Sequence, residues 1–223
     1  MEGIAERLKA VRSELPEGVR LVAVSKFHPA EELQQAYDAG QRDFGESHVQ
    51  ELCQKQLQLP PDIRWHFIGH LQTNKVKYIV PFVSLIHSVD SLKLMREINA
   101  RAQKFGRTVD CLLQIHVAAE ETKFGFLPQE CLDMLEEGEW RSFGNVRLCG
   151  LMCMATNTDD EVRIHHDFAE ARQLFDKIKA GYFADKSEFC LRSYGMSDDY
   201  HIAVAEKSDM VRVGTRIFGP RRY

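Results

Sequence analysis

Residues 21–26 read LVAVSK, a continuous apolar run that ends in a serine and a lysine. Strands of a parallel sheet are buried on both faces, so they read as short apolar runs rather than as alternating patterns. Seven further short segments that are wholly or partly apolar follow along the chain and are also predicted to be strands. The predicted strands are 21–25, 43–45, 65–69, 85–88, 111–117, 148–154, 189–193 and 210–213.

Amphipathic stretches separate these runs and predict helices. The predicted helices are 29–39, 48–58, 91–104, 128–136, 161–179 and 198–206, with one more over 1–12 that carries Ile4, Leu8 and Val11 on one face. Eight strands, each but the last followed by a helix, at a spacing of roughly 25–30 residues, predict a single (β/α)8 TIM-type barrel over residues 1–223 with an extra N-terminal helix. A doubly wound open sheet is the alternative, but the Gly-rich loop it often carries is missing after the first strand.

The bulk composition excludes several classes of protein. The chain has 223 residues and a net charge of −4, which argues against a nucleic-acid-binding surface. No apolar run reaches the length of a membrane span, and residues 1–12 do not resemble a signal peptide. The six cysteines form no C-x-x-C pair and are interpreted as core thiols rather than as a metal site. We therefore expect a cytoplasmic, monomeric protein.

Lys26 is the first candidate for a reactive residue in the active site, because it directly follows the first predicted strand. Active sites of TIM-type barrels lie at the carboxyl ends of the strands. Partly desolvated surroundings would lower the pKa of the Lys26 amine and make a neutral nucleophile available for imine formation. The alternative is a surface lysine that happens to begin a loop.

The loops after strands seven and eight are candidates for a phosphate site, as in many barrels of this type. Ser193 and Thr215 offer hydroxyl groups there, and Gly214 lets the backbone approach a ligand closely. Arg212 lies inside the last apolar run, where a buried guanidinium needs a partner. That partner is either a carboxylate of the protein or an acceptor on a ligand.

Eight segments together resemble the pyridoxal phosphate homeostasis protein family, and they span nearly the whole chain. They are VSK (24–26), FGE (44–46), VQE (49–51), WHFIG (65–69), LQ (71–72), NK (74–75), GMSDD (195–199) and VRVGTRIFG (211–219). The resemblance implies a fold-type III barrel, similar to the N-terminal domain of alanine racemase, that binds pyridoxal 5′-phosphate (PLP). Ser47 and Tyr194 depart from the usual residues of the family, and Ser47 is expected near the cofactor.

The resemblance also implies a role for each candidate residue. Lys26 takes the Schiff-base position, Arg212 faces the pyridine nitrogen, and Ser193, Gly214 and Thr215 hold the phosphate. A positive arginine keeps the pyridine nitrogen unprotonated, which weakens the ring as an electron sink. The barrel elements also use almost the entire chain and leave no room for a second domain that could supply a catalytic base.

These expectations favour a protein that holds PLP in an open site, and apo forms of PLP-dependent enzymes are the expected partners for its delivery. One alternative is a weak amino-acid racemase or lyase of the same fold type. Another is a phosphate-ligand barrel enzyme in which Lys26 acts without PLP.

The remaining polar residues carry weaker expectations. The spacing of the histidines matches no metal motif, and His66 either lines the barrel mouth or packs within its strand. A charged loop after the fifth strand is expected at the rim of the mouth, and it contains Glu120, Glu121 and Lys123. A basic cluster near the C-terminus is attributed to a local anion site, and it comprises Arg212, Arg216, Arg221 and Arg222.

Overall fold

Eight parallel strands pair in chain order, and the first also pairs with the last, so the sheet closes into a barrel. The protein is represented by a computed structural model that describes residues 3–120 and 124–220. The strands are β1 (Arg20–Val24), β2 (Asp43–Glu46), β3 (Arg64–Phe67), β4 (Leu85–Val89), β5 (Val109–Ile115), β6 (Val146–Cys153), β7 (Leu191–Ser193) and β8 (Met210–Val213). The predicted barrel is confirmed, and the closed sheet excludes the doubly wound alternative, which has two free edges.

Helices connect the strands, and one precedes β1. They are α1 (Ile4–Glu14), α2 (Ala30–Asp38), α3 (Val49–Gln58), α4 (Val76–Ile79), α5 (Leu92–Lys104), α6 (Pro128–Glu137), α7 (Glu161–Tyr182), α8 (Tyr200–Ala205) and α9 (Thr215–Phe218). All the predicted helices are present. The expectation that no helix follows the last strand is wrong, and the helix expected after the third strand, α4, had no predicted range. Both have four residues, about one turn, which is too short for a repeating apolar pattern to show.

The apolar core has two parts. The larger part fills the space between the strands and the surrounding helices and includes the three predicted α1 residues. The smaller part lies inside the barrel and consists of Val22, Leu85, Leu112, Cys149, Met152 and Met210. The six cysteines are free thiols, and four of them are buried. No helix in the described ranges combines the length and apolar character that crossing a bilayer requires.

Gly150 allows β6 and β7 to approach closely. It pairs with Leu191 and has a φ of 150°, a backbone conformation that residues with a side chain rarely adopt. A Cβ atom at this position would lie 1.8 Å from the carbonyl oxygen of Leu191. The missing side chain therefore lets β7 pair with β6, and this pairing places Ser193 beside Met152.

The basic residues near the C-terminus do not share one anion site. Arg216 pairs with Glu14 of α1 at 3.0 Å, so a carboxylate of the protein neutralises it. Arg212 is buried in β8, inside the barrel wall. Arg221 and Arg222 lie outside the described residues. The expected anion site is therefore wrong for Arg216.

Candidate cofactor site

A cavity of about 200 Å³ opens at the carboxyl ends of the strands. Four of the five predicted site residues line it together, namely Lys26, Arg212, Gly214 and Thr215. Seven other residues line the cavity and had no predicted functional role, namely Val24, His28, Ile68, Met154, Met196, Ser197 and Asp198. Met196, Asp198 and Thr215 are exposed, so the mouth of the cavity opens to solvent.

The direction of the Lys26 side chain follows from the pleat of the strand that precedes it. Successive side chains in a strand point to opposite faces. The hydroxyl of Ser25 donates to Glu46 at 2.6 Å and so faces the layer between barrel and helices. Lys26, one residue later, lies in the cavity wall and is partly exposed.

Helix α3 holds the backbone on both sides of Lys26. The Lys55 ammonium donates to the carbonyl oxygen of Ser25 at 2.7 Å, and Glu51 accepts from the backbone N–H of Phe27 at 2.6 Å. Phe27 has a φ of 66°, in the left-handed region that residues other than glycine seldom occupy. Lys55 and Glu51 also pair with each other at 2.7 Å. Two side chains one helical turn apart thus stabilise an unfavourable backbone conformation next to Lys26.

Glu46 lies behind Lys26 and is fully buried. Its Oε1 atom accepts from Lys55 at 2.6 Å and from Ser25, while its Oε2 atom has no hydrogen-bond partner within the described residues. Burial raises the pKa of the Glu46 carboxyl to about 7, although the nearby Lys55 ammonium acts in the opposite direction. Glu46 therefore titrates near neutrality.

This titration predicts a pH-dependent stability that the variant Glu46→Gln lacks. The pKa of Glu46 is about 7 in the folded protein and 4.5 in an unperturbed carboxyl. Between these values the folded state therefore binds more protons than the unfolded state. The contribution of Glu46 to the free energy of unfolding is full below pH 4.5 and is lost as the pH rises through 7. The free energy of unfolding of the wild type, relative to the variant, should fall by up to about 3 kcal/mol over this range. Urea unfolding at a series of pH values measures it, and parallel curves for the two proteins would contradict the assignment.

Arg212 is a buried cation that faces the cavity and forms no ion pair with a described carboxylate. Its guanidinium donates to the carbonyl oxygen of Ser193 at 2.5 Å, to the hydroxyl of Ser193 at 2.6 Å and to the carbonyl oxygen of Cys153 at 2.9 Å. Within 3–120 and 124–220, no acidic group forms an ion pair with it. Burial lowers the pKa of Arg212, but a guanidinium stays protonated in proteins. Of the two partners considered for Arg212, an acceptor on a ligand fits this geometry better.

Ser193 is the one predicted site residue that the structure does not bring into the cavity. Its hydroxyl is buried in the barrel interior, where it contacts Arg212 and His87. Ser197 lines the cavity instead, and its hydroxyl accepts from the backbone N–H of Gly214 at 3.1 Å. Ser193 is the last residue of β7, and Ser197 lies four residues beyond it within the GMSDD motif at 195–199, which could have indicated the second serine.

Of the other residues considered for the mouth, only Ser47 needs correction. It does not line the cavity but a neighbouring depression beside His48 and Gly69. His66 follows the second of its two alternatives, because it is buried in its strand inside the barrel. Glu120 accepts from the backbone N–H of Asn157 at 2.9 Å, whereas Glu121 and Lys123 lie outside the described residues. No cluster of three or more potential metal ligands occurs in the part of the chain that the structure describes.

Comparison with known proteins assigns the chain to a family. A family model described as alanine racemase, N-terminal domain, matches residues 1–222. A Helicobacter pylori protein named pyridoxal phosphate homeostasis protein is 38% identical over 202 residues, which cover 90% of this chain and 87% of that protein. The chain belongs to the pyridoxal phosphate homeostasis protein family.

A similar protein, PipY, described as a member of the COG0325 family, has been solved in two states. PipY of Synechococcus elongatus PCC7942 without PLP has a TM-score of 0.91 and 38% identity, and the match covers 97% of this chain and all of that one. PipY with PLP bound has a TM-score of 0.88 and 37% identity, with the same coverage. The barrel described above is thus the fold of this family.

Proposed function

We propose that this chain binds PLP in the cavity at the barrel mouth and serves PLP homeostasis by holding the cofactor and releasing it. The observation that carries the proposal is that one cavity is lined by Lys26, Gly214, Thr215 and a buried Arg212 that forms no ion pair with a described carboxylate. The relationship to PipY, which has been solved with PLP bound, supports it.

The residues in the cavity match the three polar parts of PLP. When bound, PLP supplies an aldehyde that forms a Schiff base with an amine, and a conjugated ring that withdraws electrons. Lys26 would hold the aldehyde carbon, and Arg212 would face the pyridine nitrogen. Thr215 and Ser197 offer two hydroxyls to the phosphate, while the backbone N–H of Gly214 donates to the Ser197 hydroxyl, and this set replaces the predicted set that contained Ser193.

The proposal extends to how PLP leaves the site. The exposed residues at the mouth would let water or a second amine reach the linkage at Lys26. Exchange of this kind would deliver PLP to the apo form of a PLP-dependent enzyme. A monomeric state, a cytoplasmic location and a single domain over 1–223 remain predictions of the sequence.

A transfer assay tests the proposed function. The protein is loaded with PLP, freed of unbound cofactor and mixed with an apo PLP-dependent enzyme, whose activity reports the cofactor that it receives. Activity should appear in proportion to the loaded protein, and the visible band of the imine should fall in parallel. If the purified protein neither binds PLP nor shows this band, the alternative of a phosphate-ligand barrel enzyme without PLP gains support.

We also expect little amino-acid racemase, transaminase or decarboxylase turnover. The positive charge of Arg212 would keep the pyridine nitrogen unprotonated and the electron sink weak. The open mouth admits water, which weakens electrostatic stabilisation of a transition state. Chiral chromatography of single enantiomers of alanine and serine measures racemisation. A turnover number of order one per second or more, lost in Lys26→Ala, would favour the alternative of a racemase or lyase.

A further inference from the structure

A chain of buried polar side chains crosses the barrel interior below the cavity. The Arg212 guanidinium donates to the hydroxyl of Ser193 at 2.6 Å, and that hydroxyl lies 3.0 Å from Nδ1 of His87. Nε2 of His87 lies 2.9 Å from Nδ1 of His66, whose Nε2 lies 3.0 Å from Oδ1 of Asp43. Each of these side chains is buried, in an interior that is otherwise filled by apolar residues.

With both imidazoles neutral, the carboxylate at one end of this chain determines the direction of every hydrogen bond in it. A guanidinium only donates, so the Ser193 oxygen accepts from Arg212, and its own hydrogen is free to point at Nδ1 of His87. His87 then accepts at Nδ1 and carries its proton on Nε2, which donates to Nδ1 of His66. His66 likewise carries its proton on Nε2 and donates to Asp43, and an ionised carboxylate only accepts.

The electrostatics agree with two neutral imidazoles. Burial lowers the pKa of His66, although Asp43 acts in the opposite direction. Burial also lowers the pKa of His87 well below its ordinary value, and the nearby Arg212 adds to the effect. Asp43 is held ionised by Arg64, whose guanidinium pairs with it at 2.5 Å at the opposite end of the barrel.

We propose that Ser193, His87 and His66 are positioning residues that orient the Arg212 guanidinium toward the ring of the bound cofactor. The part that concerns PLP rests on the proposed function. Three contacts to Ser193 and Cys153 use three of the five N–H groups of Arg212. The one-way chain keeps the Ser193 oxygen as an acceptor, which orients the remaining N–H groups toward the cavity. This role also accounts for the Ser193 hydroxyl at the end of β7, which does not reach the proposed phosphate site.

The first test needs no cofactor. Nitrogen-15 NMR of the histidine side chains, in the protein without PLP, should show both His66 and His87 neutral, with the proton on Nε2 and a bare Nδ1. A proton on Nδ1 of His87 would reverse the hydrogen bond to Ser193 and overturn the proposed chain. This outcome is independent of whether PLP binds.

The second test uses two substitutions that imitate different atoms of one imidazole. In His87→Asn the amide oxygen stands near the position of Nδ1 and can still accept from Ser193, whereas in His87→Gln the amide stands near Nε2 and leaves Ser193 without this acceptor. PLP should bind roughly tenfold more weakly to His87→Gln and to Ser193→Ala than to the wild type, while His87→Asn should stay within about threefold. The visible band of the imine should shift in His87→Gln and Ser193→Ala but not in His87→Asn.

Circular dichroism and thermal unfolding check that each variant is folded. Equal PLP affinities and spectra for folded His87→Asn and His87→Gln would overturn the positioning role. If PLP fails to bind the wild type, the proposed function is wrong, and the NMR measurement still decides whether the chain of hydrogen bonds exists.

Discussion

Lys26→Ala should abolish covalent attachment of PLP while leaving the barrel folded. Lys26 is partly exposed in the cavity wall, so removing its side chain creates no cavity in the core. We expect the free energy of unfolding of the Lys26→Ala variant to differ from that of the wild type by less than about 0.5 kcal/mol, as for substitutions at surface positions. Borohydride reduction of the PLP-loaded protein, followed by peptide mapping, should find the cofactor on Lys26 in the wild type and nowhere in the variant.

Lys75→Ala is the matched control, because Lys75 follows β3 and lies outside the cavity, beside the depression that contains Ser47. It should retain both the imine band and the labelled Lys26 peptide. Reduction that attaches PLP mainly to Lys75 or Lys123 would show that the nucleophile is misassigned. A Lys26→Ala protein that fails to fold would contradict the expectation that this residue contributes little to the core.

The second prediction with a large expected effect concerns the contribution of the phosphate group to PLP affinity. Free pyridoxal should bind more than about a hundredfold more weakly than PLP, because it lacks two or three charge-assisted hydrogen bonds worth roughly 1.5–3 kcal/mol each. Dissociation constants for both compounds, measured by absorbance titration, give this ratio. Ser197→Ala and Thr215→Val should each reduce the ratio roughly tenfold, since each removes one hydroxyl that lines the cavity.

Ser193→Ala separates the two roles considered for that serine. If Ser193 acts through Arg212, the variant should weaken PLP and pyridoxal by the same factor and leave their ratio unchanged. A reduced ratio in Ser193→Ala, with an unchanged ratio in Ser197→Ala, would restore the original assignment of Ser193 to the phosphate. Similar affinities of the wild type for PLP and pyridoxal would argue against any phosphate site in this cavity.

The sequence by itself determined the barrel and the place of Lys26 in it. Apolar runs at regular spacing are typical of strands that are buried on both faces. Each run is visible within its own segment, without knowledge of the distant residues that it contacts. The position of a residue directly after a strand is also local information, and it placed Lys26 and Gly214 at the same end of the barrel. The bounds of the short helices α4 and α9 were not predicted because a single helical turn is too short to show a repeating apolar pattern.

Only the tertiary structure decided which polar side chains meet. His87 and Ser193 are 106 residues apart in the chain, and no pattern within either segment specifies their contact. Ser193 faces the barrel interior while Ser197 reaches the cavity, a difference set by the pleat at the end of β7 and by its pairing with β6. The pairing of Glu46 with Lys55 likewise depends on how α3 packs against β2. The contact between His87 and Ser193 follows from the closure of the barrel, which brings residues that are distant in the chain into one interior.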